Sequence, residues 1–136
     1  MIEVSVEHLG AVQFEIKARQ HMIVSDQPPE NFGHDEGMTP PELLLASLGS
    51  CAAFYAAAYL RKYKLCDKGV KVRVTAEKLK DPARLGEFRI FIDVPRDLDP
   101  SQIEGVERSV HQCIIHNTLL QPSVISLEIH VPEHCK

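Results

Sequence analysis

The sequence predicts an α+β domain, and three observations carry that reading. Two segments begin with a proline-containing helix start and continue with apolar residues three and four apart. Several shorter runs alternate polar and apolar residues, the period of half-buried strands. The order is strands, helix, strands, helix, strand, which is the segregated pattern of an α+β fold. No internal repeat, linker or low-complexity tract interrupts residues 1–136, which read as a single domain.

The first strand is expected over Ile2–His8, where Ile2, Val4 and Val6 alternate with Glu3, Ser5 and Glu7. A turn at Leu9-Gly10 leads to a second run, Ala11–Val24, with Val12, Phe14, Ile16 and Ala18 on one face. Asp26–Met38 is a polar loop with two prolines and two glycines, long enough to suggest a functional role. Thr39-Pro40-Pro41-Glu42 then supplies an N-cap, a proline at the first helical position and a glutamate that closes a capping box. The helix that follows is expected over Pro40–Leu65, roughly 39 Å at 1.5 Å per residue, long enough to span the core. Lys71–Lys78 and Gly86–Val94 read as strands joined through Lys80–Leu85. Asp99-Pro100-Ser101-Gln102 repeats the helix-start device. A single helix over Pro100–Leu120 would place Ile103, Val106, Val110, Cys113, Asn117 and Leu120 on one stripe. Val124–His130 closes the chain as a last strand.

Composition narrows the function. The formal net charge of −4 argues against a nucleic-acid partner, which usually demands a basic excess. The N-terminal residues alternate and lack the basic and apolar regions of a signal peptide, and no run reads as a membrane span. A cytoplasmic location is therefore expected, where the four cysteines would be mostly reduced and any disulfide transient or catalytic.

Two of those cysteines stand out. Cys51 lies on the apolar stripe of the first helix with Leu44, Leu48, Tyr55 and Ala58, and Cys113 on that of the second. Beside Cys51 run Ala46, Gly49, Ser50, Ala53 and Ala57, small residues that would let another helix approach closely. If the second helix packs there, Cys113 faces Cys51, and a disulfide would need Cα atoms roughly 4.4–6.8 Å apart. By spacing alone the pair is either inert packing, since free cysteine behaves as a small hydrophobe, or a redox couple.

The run Gly37-Met38-Thr39-Pro40-Pro41-Glu42-Leu43-Leu44-Leu45-Ala46-Ser47-Leu48-Gly49-Ser50-Cys51 resembles the signature of the OsmC/Ohr family. The second cysteine, in Cys113-Ile114-Ile115-His116-Asn117-Thr118-Leu119, matches it as well. The resemblance implies an intertwined homodimer with antiparallel sheets around two long core helices and a site at each interface. It also implies thiol-dependent reduction of organic hydroperoxides in oxidative or osmotic stress. Cys51 would be the peroxidatic thiol and Cys113 the resolving one, with a cellular dithiol as reductant and no cofactor.

The chain departs from the family's peroxidases at two positions. Their glutamate, ten residues before the first cysteine, is Pro41 here, and Glu42 stands nine residues before Cys51. Nine residues at 100° each turn Glu42 about 180° away from Cys51, which favours a capping role for it. No arginine stands near Leu9-Gly10, where the family's would fall, and Arg19 is the nearest candidate. Glu42, Arg19 and His116 are thus the candidates for supporting roles, His116 as a polar neighbour of Cys113.

The seven histidines raise a metal reading, but Cys113 with His116, and the tail group His130, His134 and Cys135, match no known ligand spacing. No metal is expected, and Cys66 and Cys135 read as incidental thiols. The rival to a peroxidase is a protein that binds an apolar small molecule in the same pocket with the cysteines as packing. A redox sensor using the same pair is a third reading.

Overall fold

A computed structural model describes residues 1–133. Five strands and three α-helices follow in the order β1 (Ser5–Gly10), β2 (Gln13–Ala18), β3 (His21–Ser25), α1 (Pro40–Lys62), β4 (Lys71–Leu79), β5 (Arg84–Asp93), α2 (Pro100–Val110) and α3 (Ile114–Leu120). A single 3-10 turn, Pro29–Asn31, lies in the loop before α1. The α+β class expected from the sequence holds. The strands form two antiparallel sheets, β1-β2-β3 and β4-β5.

Both helix starts are built as their sequences dictate. The Thr39 side chain accepts the Glu42 N–H at 3.4 Å, while Glu42 Oε1 accepts the Thr39 N–H at 2.9 Å. Asp99 and Gln102 exchange the same pair of bonds at 2.8 and 2.9 Å. Each box satisfies donors that the first helical turn leaves without an internal partner.

Several expectations about the elements change. The run Ala11–Val24 is two strands: Arg19, in a left-handed conformation with φ of 56°, turns the chain so that Ala18 pairs with His21. Arg19-Gln20 carries no glycine, asparagine or proline, so the turn has no local signal. The first helix ends at Lys62 rather than Leu65. The second is interrupted: α2 stops at Val110, and Cys113, with ψ of 124°, leaves helical geometry and caps α3. The last strand is absent among the described residues: Val124–His130 pairs with nothing, and its Val124, Ile125 and Leu127 are at least 83% exposed.

The core sits where α1 and α2 lie on the β4-β5 sheet. Ala52, Ala56, Leu60, Val106 and Val110 are buried there, with Val72 of β4 and Ile90 and Ile92 of β5 packed against them. Small residues on α1 allow the close approach, and the Ser109 hydroxyl ties α2 to α1 by donating to the Tyr55 carbonyl at 2.9 Å. Gly49, expected to face the second helix, instead faces the sheet: a Cβ there would stand 3.0 Å from Val74 Cγ2. Leu60 is fully buried at the end of this seam. Leu60→Ala should cost about 2–5 kcal/mol in urea unfolding, the range for cavity-forming core truncations.

By length and apolarity alone α1 reaches the dimensions of a membrane span, contrary to the expectation that no run would. In this fold it is the core helix. Only 22% of its most apolar window is buried, however, and Phe54 is 62% exposed. The β1-β2-β3 sheet is barer still, with every residue of β1 exposed.

Candidate functional site

Cys51 lies at the middle of α1, and the capping box at Thr39 fixes where that helix begins and so how its residues are phased. Cys113 is the N-cap of α3, 1% exposed, and its sulfur accepts the His116 N–H at 3.4 Å. The two cysteines are joined as a disulfide, with Cα atoms 5.9 Å apart across a sequence separation of 62 residues. The structure thus brings together the two residues singled out on sequence grounds. It does so through the break after α2, which the sequence did not signal.

The supporting candidates fall differently. His116 is in the first turn of α3, half-buried, and its Nδ1 is buried with no hydrogen-bond partner among the described residues. Its ring meets that of His111 edge-on, with centroids 5.2 Å apart. Glu42 is occupied by the capping box: the Thr39 N–H and hydroxyl both bond its carboxylate and hold it below the usual carboxylate range. Arg19 sits in the β2–β3 turn. The ladder pairs Phe14 with Ser25 beside the loop to α1, and Ala18 with His21 at the opposite end. That end is about 13 Å further along the strand at 3.3 Å per residue. Arg19 thus lies at the end of the β2-β3 ladder away from the loop that leads to α1.

An apolar cavity of about 640 Å³ lies between β5 and α2. Phe88, Ile90 and Ile92 form one wall, Val106 and Val110 the other, and His111, His116 and Glu107 its polar end. A smaller cavity of about 270 Å³ shares Phe88, Ile90 and His116 and continues under Leu48 and Leu119. Val110, His111 and His116 flank Cys113 in sequence, so this groove borders the buried thiol's own turn. The sequence reading did not single out His111 or Phe88; the alternation of Phe88, Ile90 and Ile92 was the available signal.

The loop before α1 is organised by a residue that composition alone hides. Asp26 is 1% exposed, and its carboxylate accepts the N–H groups of Gln27, His34 and Glu36 at 2.7, 3.2 and 3.1 Å and Gln13 Nε2 at 3.2 Å. Burial pushes this carboxyl up, but those donors outweigh it and hold it below its ordinary value of 3.8. Gly33 lies so close that a Cβ would overlap the Gln27 carbonyl. A folded-state pKa below the unfolded one gives stability above the unfolded value that is lost as pH falls through the folded one. Asp26→Ala should therefore lower Tm on the order of 5 °C near neutral pH. The gap to wild type should close in acid; a pH-independent gap would contradict the assignment.

Among the described residues Cys66 is an exposed free thiol, and no group of three or more His, Cys, Asp or Glu is placed to hold a metal ion. His134 and Cys135 lie outside the described residues.

The family model for OsmC-like proteins matches residues 33–128, a span that includes the end of the loop before α1, α1 itself, both cysteines and the β4-β5 sheet. The chain belongs to the OsmC-like family. No curated protein sequence matches it. Among solved structures, a protein assigned to the osmotic stress induced and detoxification response of Psychrobacter arcticus 273-4 superposes with a TM-score of 0.79 at 25% identity. That match covers 87% of this chain and 88% of the other. An OsmC-like protein from Mycoplasma pneumoniae gives 0.75 at 18% identity, covering 90% and 89%. The organic hydroperoxide resistance protein OhrB of Bacillus subtilis gives 0.64 at 14% identity, covering 90% and 92%. The likenesses to the last two speak for the OsmC-like fold.

Proposed function

We propose that this protein reduces organic hydroperoxides through Cys51 and Cys113, in a reducing, cytoplasmic setting. The observation that carries the proposal is the Cys51–Cys113 disulfide between α1 and the start of α3. Family membership and the fold shared with a protein named for organic hydroperoxide resistance support it.

The Cys51 thiolate attacks the outer oxygen of the hydroperoxide. A sulfur–oxygen bond forms, the peroxide bond breaks, and the alkoxide takes a proton and leaves as an alcohol. Cys51 is now a sulfenic acid. The Cys113 sulfur attacks it, water departs, and the disulfide forms. Two thiol–disulfide exchanges with an external dithiol restore both thiols and oxidise that dithiol to its own disulfide. The two electrons that reduce the peroxide thus come from the thiol pair and are replaced by the dithiol. The apolar groove beside Cys113 favours alkyl or aryl hydroperoxides over hydrogen peroxide.

The working form in this proposal is a homodimer. Support comes from the apolar surface one chain leaves bare: the face of α1 around Phe54, the β1-β2-β3 sheet, and the unpaired segment from Val124 to Val131. A second copy is also the means by which Arg19 could reach a cysteine pair and favour its thiolate. The test is consumption of cumene hydroperoxide by reduced protein with dihydrolipoamide as reductant. Turnover above background, and faster than with hydrogen peroxide, is expected; none with either oxidant would overturn the proposal.

A second reading has its own observation. The cavity of about 640 Å³ is within the size range of small-molecule sites and is mostly apolar, so a binding protein or redox sensor without turnover would use the same groove.

A further inference from the structure

We infer that His116 takes the proton from the Cys113 thiol in the reduced protein, with Nδ1 as the receiving atom. The inference rests on the thiol pair alone, whichever oxidant reaches Cys51. Under the hydroperoxide proposal it deepens that reading by supplying the base for the resolving step.

Three observations carry it. His116 Nδ1 is buried with no partner among the described residues. Solvent does not reach it, so a group inside the protein must satisfy it, and leaving it bare costs free energy. Next, the start of α3 is a capping box with one half missing. Cys113 is the N-cap and His116 the third helical residue, and Cys113 Sγ accepts the His116 N–H at 3.4 Å. In a complete box the side chain at the third position reaches back to the cap residue. Glu42 does so toward Thr39, and Gln102 toward Asp99. Helical side chains lean toward the N-terminus, which sets the His116 ring over the cap's own turn. The usual donor to such a side chain, here the Cys113 N–H, is committed to the Val110 carbonyl at 3.0 Å. Finally, the cap's sulfur is held in the disulfide and carries no proton. Reduction puts one there. The S–H is then the donor the cap residue has left, and Nδ1 is the acceptor that lacks one.

The surroundings offer no rival donor. Leu48 of α1 and Phe88 and Ile90 of β5, which line the space at His116, are apolar. The titratable groups on this side are Glu107, His111 and the two cysteines. Glu107 Oε1 stands 4.0 Å from His111 Nε2, and the His111 ring meets that of His116 edge-on. Both residues are exposed, so a proton taken by His116 has a surface imidazole beside it.

In the step, the Cys113 S–H bond breaks and its proton moves to Nδ1. The sulfur's electron pair forms the bond to Cys51, and the group on Cys51 leaves with the pair of the broken bond. When Cys51 is a sulfenic acid, that group is hydroxide, which takes the proton from His116 and departs as water. Nδ1 is then left without a partner, as it is in the disulfide form.

The test needs no hydroperoxide. Reduced full-length protein carrying Cys66→Ser and Cys135→Ser is mixed with the aryl disulfide dithiobis(nitrobenzoate). Cys51, the more exposed of the pair, takes up one aryl thiol and releases the other. Cys113 then expels the bound one and closes the disulfide. His116→Phe and His116→Gln should leave the first release unchanged and slow the second about a hundredfold near neutral pH, the scale of a lost general base. Glutamine can complete the capping box by accepting a bond but cannot take the proton, so it separates a base from a structural cap. The deficit should close above roughly pH 10, where the thiol ionises unaided. In nitrogen NMR of the wild-type histidine rings, the His116 Nδ1 resonance should differ between reduced and oxidised protein. That readout needs no variant, so it stands even if the substitutions disturb folding. A second release as fast as wild type in either variant, a deficit equal at every pH, or an Nδ1 resonance unmoved by reduction would each overturn the inference. The predicted slowing in a protein without hydroperoxide turnover would sink the peroxidase proposal alone; turnover with no slowing would sink this inference alone.

Discussion

Cys51→Ser should abolish hydroperoxide turnover, with a loss on the order of a thousandfold or more, while Cys113→Ser should still carry out the first step. The asymmetry follows from the assigned order of attack. A serine at position 51 has no nucleophile of comparable strength at neutral pH. A serine at position 113 leaves the Cys51 thiolate able to take one oxygen atom but removes the thiol that expels it as water. The Cys113→Ser protein should therefore release one alcohol per chain in a burst, gain the mass of one oxygen at Cys51, and then stall unless an external thiol intervenes. Rapid-mixing measurement of alcohol release, with mass spectrometry of the Cys51 peptide, reads both arms. Equal loss in the two variants with no oxygen on either protein would contradict the order; a burst from Cys51→Ser alone would reverse it.

Reduction of the disulfide should lower stability nearly as sharply. The bond closes a loop across 62 residues, and cross-linking a loop of that size removes unfolded-chain entropy worth about 4 kcal/mol in the chain-entropy account. With a urea dependence of about 2 kcal/mol per molar, oxidised protein should unfold near 2 M higher denaturant than reduced protein at the same concentration. The concentration must be held fixed because self-association would shift both curves. Cys51→Ser should unfold with the reduced protein and show no response to added dithiol. Coincident oxidised and reduced curves would mean that the bond constrains little in the unfolded chain. If the expected gap is found, each catalytic cycle alternates between a tied and a looser joint of α1 with α3.

The parts of the fold that were legible in the sequence are those decided within a few residues. Thr39 with Glu42, and Asp99 with Gln102, are devices that span one helical turn, and the structure builds both. The runs Lys71–Lys78 and Gly86–Val94, read as strands, likewise fall on β4 and β5.

What was missed depends on groups far away in sequence or on another surface. No residue near Cys113 announces a helix break; the position that leaves helical geometry is the one bonded to α1. Gly49 signalled a close approach correctly, but sequence spacing could not say that β4, rather than α2, makes it. The alternation from Val124 to His130 is as regular as in any strand, yet nothing among the described residues pairs with it. Such a pattern reports that a segment suits a half-buried sheet without saying whose sheet, which accords with the dimer proposed above. At the site, the cysteine pair was legible through the family resemblance of the segments around Cys51 and Cys113, although the second helix does not run through Cys113. The groove was not, since His111, His116 and Phe88 come from three separate elements.

The proposed chemistry requires that hydroperoxide oxidise Cys51 and Cys113 as a couple. The most direct measurement is a single turnover: fully reduced protein mixed with one equivalent of cumene hydroperoxide, free thiols counted, and the digested protein mapped for disulfides. Two thiols should disappear for each hydroperoxide consumed, and a Cys51–Cys113 linked peptide should account for both. Unchanged thiols, or oxidation that falls on exposed Cys66 while Cys51 and Cys113 stay reduced, would contradict it.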